Sequence, residues 1–199
     1  MKKKAVIIGA SFNPVHNGHL AVAQAAMAEP DVERVIMLPC GQHAFGKVLA
    51  PKADRLQMLE LAQEEVGATW EIDRREIESE ETSYTYQTLV AWQKDNPDWQ
   101  PVFILGSENL ADFHKWYQVE KLVKEFEIWV TNREEREMKE ELKKWGGRLK
   151  EWRTQLDLSA QNLQISSTLV REKAARQEKL TDLVPTTVAA YIKEKGFYE

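Results

Sequence analysis

Apolar positions in this chain fall into two patterns: short dense runs, and longer stretches where they recur every three or four residues. The dense runs read as buried strands: Ala5–Ile8 (AVII), Arg34–Leu38 (RVIML), Pro101–Gly106 (PVFILG) and Glu127–Thr131 (EIWVT). Thr69–Glu76 (TWEIDRRE) alternates and reads as a further strand. The helical pattern covers Gly18–Ala28, Lys52–Val66 (with Leu56, Leu59 and the stem of Gln63 in register), Tyr84–Asp95, Ser167–Ala175 and Thr186–Lys195. Pro39 to Ala50 reads as a loop. Strands alternating with helices imply an α/β fold in which a parallel sheet is covered on both faces, and right-handed crossovers make it doubly wound, with a C-terminal helical part. Ligands of such sheets sit at the carboxyl ends of the strands. Gly9 and Gly106 each close a strand and deliver the next loop to that edge, Gly9 by allowing a tight turn.

One segment departs from the rhythm. Arg133–Leu156 is highly charged, and Met138, Leu142, Trp145, Leu149, Trp152 and Leu156 form a seam spaced by fours and threes. The pattern predicts a charged helical insertion over about 133–156 in a single domain spanning 1–199, split by Gly146-Gly147. Its stripe packs on the parent domain or forms a contact in a homo-oligomer; the seam is short for a coiled coil.

Composition narrows the function classes. In 199 residues, 43% hydrophobic content provides a core and 30% charged content a solvated surface. The net charge of −5 argues against a duplex nucleic-acid binder, so any phosphate ligand must be met by locally gathered positive groups. A single cysteine, Cys40, allows no internal disulfide, and no run approaches a membrane span or a signal peptide. The expected setting is the cytoplasm, with no membrane partner.

The candidate chemistry begins in the stretch IIGASFNPVHNGHL. His16 and His19 lie three residues apart where Pro14 and Asn17 announce a helix, and Gly18 removes a side chain beside them. A helix start offers unpaired N–H groups and partial positive charge to a phosphate, and two imidazoles there can stabilise charge growing on a phosphoryl group. The spacing is neither that of a P-loop nor that of a dinucleotide fingerprint. Downstream, ISSTLVRE (Ile165–Glu172) opens another helix with Ser166 and Ser167 and places Arg171 one turn inside. Ser166 or Ser167 serves there as an ordinary N-cap, or the cluster forms a second phosphate cradle with Arg171 forking onto oxygens. Two such helix starts suggest a nucleoside triphosphate.

GASFNPVHNGH followed far downstream by ISSTLVR resembles the nicotinate/nicotinamide mononucleotide adenylyltransferases, within the wider group of nucleotidyltransferases that share the HxGH signature. TSYTYQTL (Thr82–Leu89) is similar to that family's SYT stretch, LGSENLADFHKWYQ (Leu105–Gln118) to its KWY stretch, and DLVPTTVAAYIKEKGFY (Asp182–Tyr198) to its closing helix. The resemblance implies a Rossmann-like nucleotidyltransferase fold. It also implies a reaction in which a mononucleotide phosphate attacks the α-phosphorus of ATP, with Mg²⁺ accompanying ATP, to give deamido-NAD and pyrophosphate in NAD biosynthesis. ATP and a pyridine mononucleotide would be the partners, nicotinic acid mononucleotide ahead of its amide. The alternatives are another HxGH nucleotidyltransferase and a non-catalytic nucleotide-binding relative.

Residue by residue, the resemblance gives His16, His19 and Arg171 to the ATP phosphates; Lys47, outside the family's usual pattern, supplies further charge from a different loop or is a solvated surface lysine. Gly9, Ala10, Ser11, Phe12, Gly18, Gly106, Glu108, Ser166 and Ser167 fall to the bound nucleotide. Asn13, Thr85 and Trp116 fall to the acceptor, Trp116 by stacking on the pyridine and Thr85 through its backbone. No residue is expected to form a metal cage. Tyr84 and Tyr86 read as packing. The chain departs from the family's usual pattern at Asn13 and Glu108, where Asp is usual, and in the loop PCGQHAFGKVLAPKADR, where His43 and Lys47 are separated rather than adjacent.

Overall fold

In the computed structural model of the chain, residues 3–131, 143–152 and 165–198 are described. Their elements are β1 (Lys3–Ala10), α1 (Asn17–Met27), β2 (Val32–Pro39), β3 (Gln42–His43), α2 (Lys52–Val66), β4 (Glu71–Ile72), β5 (Thr82–Ser83), α3 (Thr85–Asp95) and β6 (Trp99–Gly106). A 3₁₀ turn (Ser107–Asn109) follows, then α4 (Leu110–Phe113), α5 (Val119–Glu125), β7 (Glu127–Thr131), β8 (Lys150–Trp152), α6 (Ser167–Ala175) and α7 (Thr186–Lys195). Six strands pair in the order β4-β2-β1-β6-β7-β8, every pair parallel. This is the expected doubly wound sheet.

The period of two along each strand divides the core. Val6 and Ile8 of β1, Val35 and Met37 of β2, and Val102 and Ile104 of β6 face one apolar layer with α1, α2, α6 and α7. The intervening Ala5, Ile7, Ile36, Leu38, Phe103 and Leu105 face the other, with α3, α4 and α5. A strand buried on both sides has no polar face, which is why these runs are continuously apolar.

The structure departs from the sequence pattern at several places. Of Thr69–Glu76 only Glu71–Ile72 pairs in the sheet. The strand stops because Asp73 Oδ1 accepts from the Arg75 amide at 3.0 Å, an Asx turn that diverts the backbone. The inward stripe of α2 is Arg55, Met58, Leu59 and Ala62, one residue round from the expected register, with Arg55 buried. The loop Pro39–Ala50 carries the small strand β3, which pairs in parallel with β5. Gly9 is not at a turn. It lies inside β1, where a Cβ would stand 2.8 Å from the Phe103 ring, so close packing across the sheet is what selects it.

Half of the Arg133–Leu156 seam, Met138, Leu142 and Leu156, lies outside the described residues. Within them, Lys150–Trp152 is a strand at the sheet edge rather than a helix. Gly146 and Gly147 take φ of +55° and +76°, a left-handed pair that no helix tolerates. Trp145 and Leu149 are buried, Trp145 with its ring centroid 5.0 Å from that of Phe113. These two apolar residues therefore pack on the parent fold.

Candidate active site

β1 and β6 are neighbours, but the chain leaves them in opposite directions across the sheet, so a crevice opens at their carboxyl ends. It is a cavity of about 890 Å³. On its wall stand His16, Gly18, His19, Lys47, Thr85, Trp116 and Arg171, together with Gly9, Ala10, Ser11, Asn13, Gly106, Glu108, Ser166 and Ser167. Phe12 is the predicted site residue that does not reach it. Its backbone sits at φ +44° and its ring is fully buried, edge-on to His19 with centroids 4.8 Å apart. Phe12 packs beneath His19, with its side chain off the cavity wall.

The helix start answers why two histidines stand there. His16 is the N-cap of α1, with extended backbone at φ −147° and ψ 166°, and His19 is the third helical residue. Their rings stack with centroids 3.7 Å apart and planes inclined at 27°. The His16 backbone N–H donates to His19 Nδ1 at 3.3 Å. An accepting Nδ1 puts the proton of a neutral ring on Nε2, so His19 offers a donor there. Of the first-turn amides, that of Asn17 donates to the Leu183 carbonyl at 2.8 Å and that of His19 to the His16 carbonyl at 2.9 Å.

The second helix start is stitched to the first. Ser166 Oγ accepts from the Leu169 amide at 3.1 Å, the ordinary N-cap arrangement. Ser167 Oγ donates to the Pro14 carbonyl at 2.9 Å. Arg171 donates to the Asn13 carbonyl at 2.9 Å and to Thr168 Oγ1 at 3.2 Å. The cluster thus serves as cap and as cavity wall at once, and it closes on the loop that carries His16.

Asn13 is buried, and its Oδ1 accepts from the Ala50 amide at 3.1 Å and from the Tyr198 hydroxyl at 2.9 Å. Both are accepted bonds, which an aspartate would make equally well. The departure from Asp at this position leaves the local geometry intact.

At the other end, the start of α3 brings Ser83, Tyr84 and Thr85 to the wall. Trp116 is half-buried, held edge-on by Phe103 at 6.2 Å and Phe113 at 5.1 Å between ring centroids. Glu76 also stands on this part of the wall, buried, and accepts from Thr88 Oγ1 at 2.5 Å. Burial pushes its pKa up, opposed by hydrogen bonds from Thr88 and Ser83. Cys40 is on the wall, its thiol pKa raised by burial.

Four participants were not legible as such in the sequence. Tyr84 lines the cavity rather than packing away from it, 4.8 Å from Tyr117 between ring centroids. Its signal was its place inside the SYT stretch. Tyr86 does pack outside, its hydroxyl donating to Glu125 Oε2 at 3.1 Å. Glu76 is paired with Thr88 on the following helix, and Tyr198 with Asn13, 185 residues away. Arg55 had one signal, a charged residue on the inward stripe of a helix.

Among the described residues no group of His, Cys, Asp and Glu is arranged to hold a metal ion by itself. No helix among them is long and apolar enough to cross a membrane.

Comparisons with known proteins agree with this geometry. The profile of the family described as "Cytidylyltransferase-like" matches residues 7–173. A Clostridium tetani protein named "Probable nicotinate-nucleotide adenylyltransferase" is 30% identical over the full length of both chains. One of the same name from Neisseria meningitidis serogroup C is 34% identical over 99% of each. In fold, the chain is similar to the Plasmodium falciparum nicotinic acid mononucleotide adenylyltransferase complexed with NaAD, with a TM-score of 0.81 and 22% identity, covering 98% of this chain and 97% of the other. A match to the family profile over most of the chain, with relatives of this identity over its whole length and a cavity walled by two helix starts on a sheet of this topology, places the chain in the nicotinate-nucleotide adenylyltransferase branch of the cytidylyltransferase-like family.

Proposed function

We propose that the chain transfers the adenylyl group of MgATP to nicotinic acid mononucleotide, giving deamido-NAD and pyrophosphate. The observation that carries this reading is the single cavity shared by the His16/His19 helix start, the Arg171 helix start, and the wall formed by Thr85 and Trp116. An oxygen of the acceptor's phosphate attacks the α-phosphorus of ATP, and the bond to the departing pyrophosphate oxygen breaks. No covalent enzyme intermediate intervenes. The protein's work is to align the two substrates and to stabilise charge on the transferring phosphoryl group.

Each residue has a role in that scheme. His19 donates from Nε2 to phosphate oxygen, and His16 shapes the helix start that presents it. Arg171 forks onto the triphosphate. Lys47, on the wall from the β2–α2 loop, adds positive charge. Gly18 lets phosphate approach the backbone. Gly9, Ala10, Ser11, Gly106, Ser166 and Ser167 line the nucleotide's path. Trp116 offers a ring for the pyridine, and the N–H groups at the start of α3 face its carboxylate.

Mg²⁺ enters as part of the substrate. It favours phosphate oxygens and water with one or two carboxylates rather than an all-protein cage. The donors here fit that habit, Glu108 being a carboxylate on the wall. An amide acceptor is also admitted, because Glu80–Leu89 holds no Lys or Arg to demand a carboxylate.

The test is pyrophosphate release from MgATP with nicotinic acid mononucleotide, nicotinamide mononucleotide and unrelated phosphorylated acceptors. Release driven by a pyridine mononucleotide is expected. Release only with an unrelated acceptor would reassign the reaction within the nucleotidyltransferases, and none at all would leave a binding protein.

A further inference from the structure

The proposed reaction needs two loops held in register. The β1–α1 loop leads to His16, and the β2–α2 loop carries Lys47. Arg55 sits where they meet. It projects from the first turn of α2, is 1% exposed, and is among the largest fully buried side chains. Its Nε donates to the Ala50 carbonyl at 3.1 Å. Its terminal nitrogens donate to the carbonyls of Ser11 at 2.6 Å, Cys40 at 2.8 Å and Gly41 at 3.2 Å. Ser11 belongs to the first loop, and the other three to the second.

Burying a guanidinium is costly unless its donors are satisfied, and apolar packing often stabilises a core as well as buried charge does. Four bonds aimed at carbonyls of two different loops are what a planar fork does and apolar packing does not. The tie continues beyond Arg55. The Gly41 amide donates to Ser83 Oγ at 3.0 Å, and Gln42–His43 pairs with Thr82–Ser83, the strand that runs directly into Thr85. One buried cation therefore joins the nucleotide loop, through Gly41 and Ser83, to the wall assigned to the acceptor.

We infer that Arg55 is a positioning residue for the reaction: it touches neither substrate but sets the nucleotide loop against the loop and strand that form the acceptor wall. The inference rests on the proposed reaction. Each substrate still finds its own loop when the clasp is loosened. What is lost is their mutual alignment, and a displacement on the scale of an ångström costs on the order of 10²-fold in rate.

The test compares Arg55→Lys with wild type. Lysine keeps the charge but presents its donors from one point and cannot span four carbonyls. Three quantities are measured: kcat at saturating substrates, Kd for MgATP by calorimetry without acceptor, and thermal unfolding. The expected result is a folded protein whose kcat falls roughly 10–100-fold while Kd for MgATP stays within about threefold. A folded Arg55→Lys with wild-type kcat overturns the inference. So does a loss confined to MgATP affinity, which would make Arg55 part of the nucleotide subsite alone. If Arg55→Lys does not fold, Ser83→Ala decides, since it cuts the tie at a half-buried position. Its kcat is expected to fall several-fold with Kd for MgATP unchanged, and an unchanged kcat overturns the inference. Wild-type turnover in the same assay separates the two readings. An active wild type with an equally active variant removes the positioning role alone, whereas an inactive wild type removes the reaction and the role with it.

Discussion

With Nδ1 accepting from the His16 amide, the proposed role of His19 is to meet phosphate through Nε2, as a donor. Its removal should therefore act on transition-state charge rather than on folding. His19→Ala is expected to lower kcat by about 10²–10³-fold with little change in thermal unfolding. His16→Ala should lower kcat too, but it also removes the N-cap of α1 and should unfold at a lower temperature, by about 1 kcal/mol of stability. Turnover near wild type in both would end the phosphate-site reading. Arg171 is held by one nitrogen on the Asn13 carbonyl and one on Thr168, which fixes the plane of the fork that the proposed reaction turns to the triphosphate. Arg171→Lys keeps the charge and loses the fork, and KM for ATP should rise. An unchanged KM and kcat would reduce Arg171 to a brace for the Asn13 loop.

At the scale of elements, the start of α7 shows how one helix completes another. Its N-cap is Pro185, which has no side chain to accept from the first amides. Glu65, in the last turn of α2, accepts instead from the amides of Thr186 at 2.9 Å and Thr187 at 2.7 Å, and from Thr187 Oγ1 at 2.6 Å. Those bonds from Thr187 hold its carboxyl below the usual range. A depressed carboxyl stabilises the fold above the unfolded pKa, about 4.3, and that contribution is lost as pH falls through the folded value. Glu65→Ala should cost about 1 kcal/mol at pH 7 by urea denaturation, and the gap should close toward pH 3. A gap independent of pH would assign the loss to packing between α2 and α7. The helix periods that define both elements were legible in the sequence. The capping across them was not, since Glu65 and Thr187 are 122 residues apart.

For the molecule as a whole, the proposed reaction asks an acidic chain to hold two anionic substrates, and the charge for it is local: His16, His19, Lys47 and Arg171 come to one cavity from three separate parts of the sequence. At the acceptor end, helix N–H groups favour a carboxylate, without a nearby Lys or Arg in Glu80–Leu89 to make the preference absolute. Nicotinic acid mononucleotide should therefore show the higher kcat/KM, with measurable turnover of the amide. Trp116→Ala should impair both acceptors more than it impairs ATP, by about 1–3 kcal/mol if its ring stacks as aromatic rings do on nucleobases. A variant that lost nothing with either acceptor would remove the stacking role. A wild type that preferred the amide would overturn the substrate order and leave the reaction standing.

Legible in the chain before folding is whatever a contiguous stretch encodes. The dense apolar runs gave the parallel strands, and the three-four period gave α1, α2, α3, α6 and α7, because burial on one or two faces leaves its period in adjacent residues. The HxGH helix start was visible for the same reason, since cap, glycine and both histidines lie within a few positions. Tertiary structure decided the rest. It turned Lys150–Trp152 into an edge strand, because pairing with β7 overrides a local helical pattern. It put Phe12 beneath His19 and the Tyr198 hydroxyl on Asn13, 185 residues away. It also gave Arg55 its four carbonyls. Every residue has a carbonyl, so nothing in the identities of Ser11, Cys40, Gly41 and Ala50 marks them as partners; only the folded path of the chain aims those oxygens at one guanidinium.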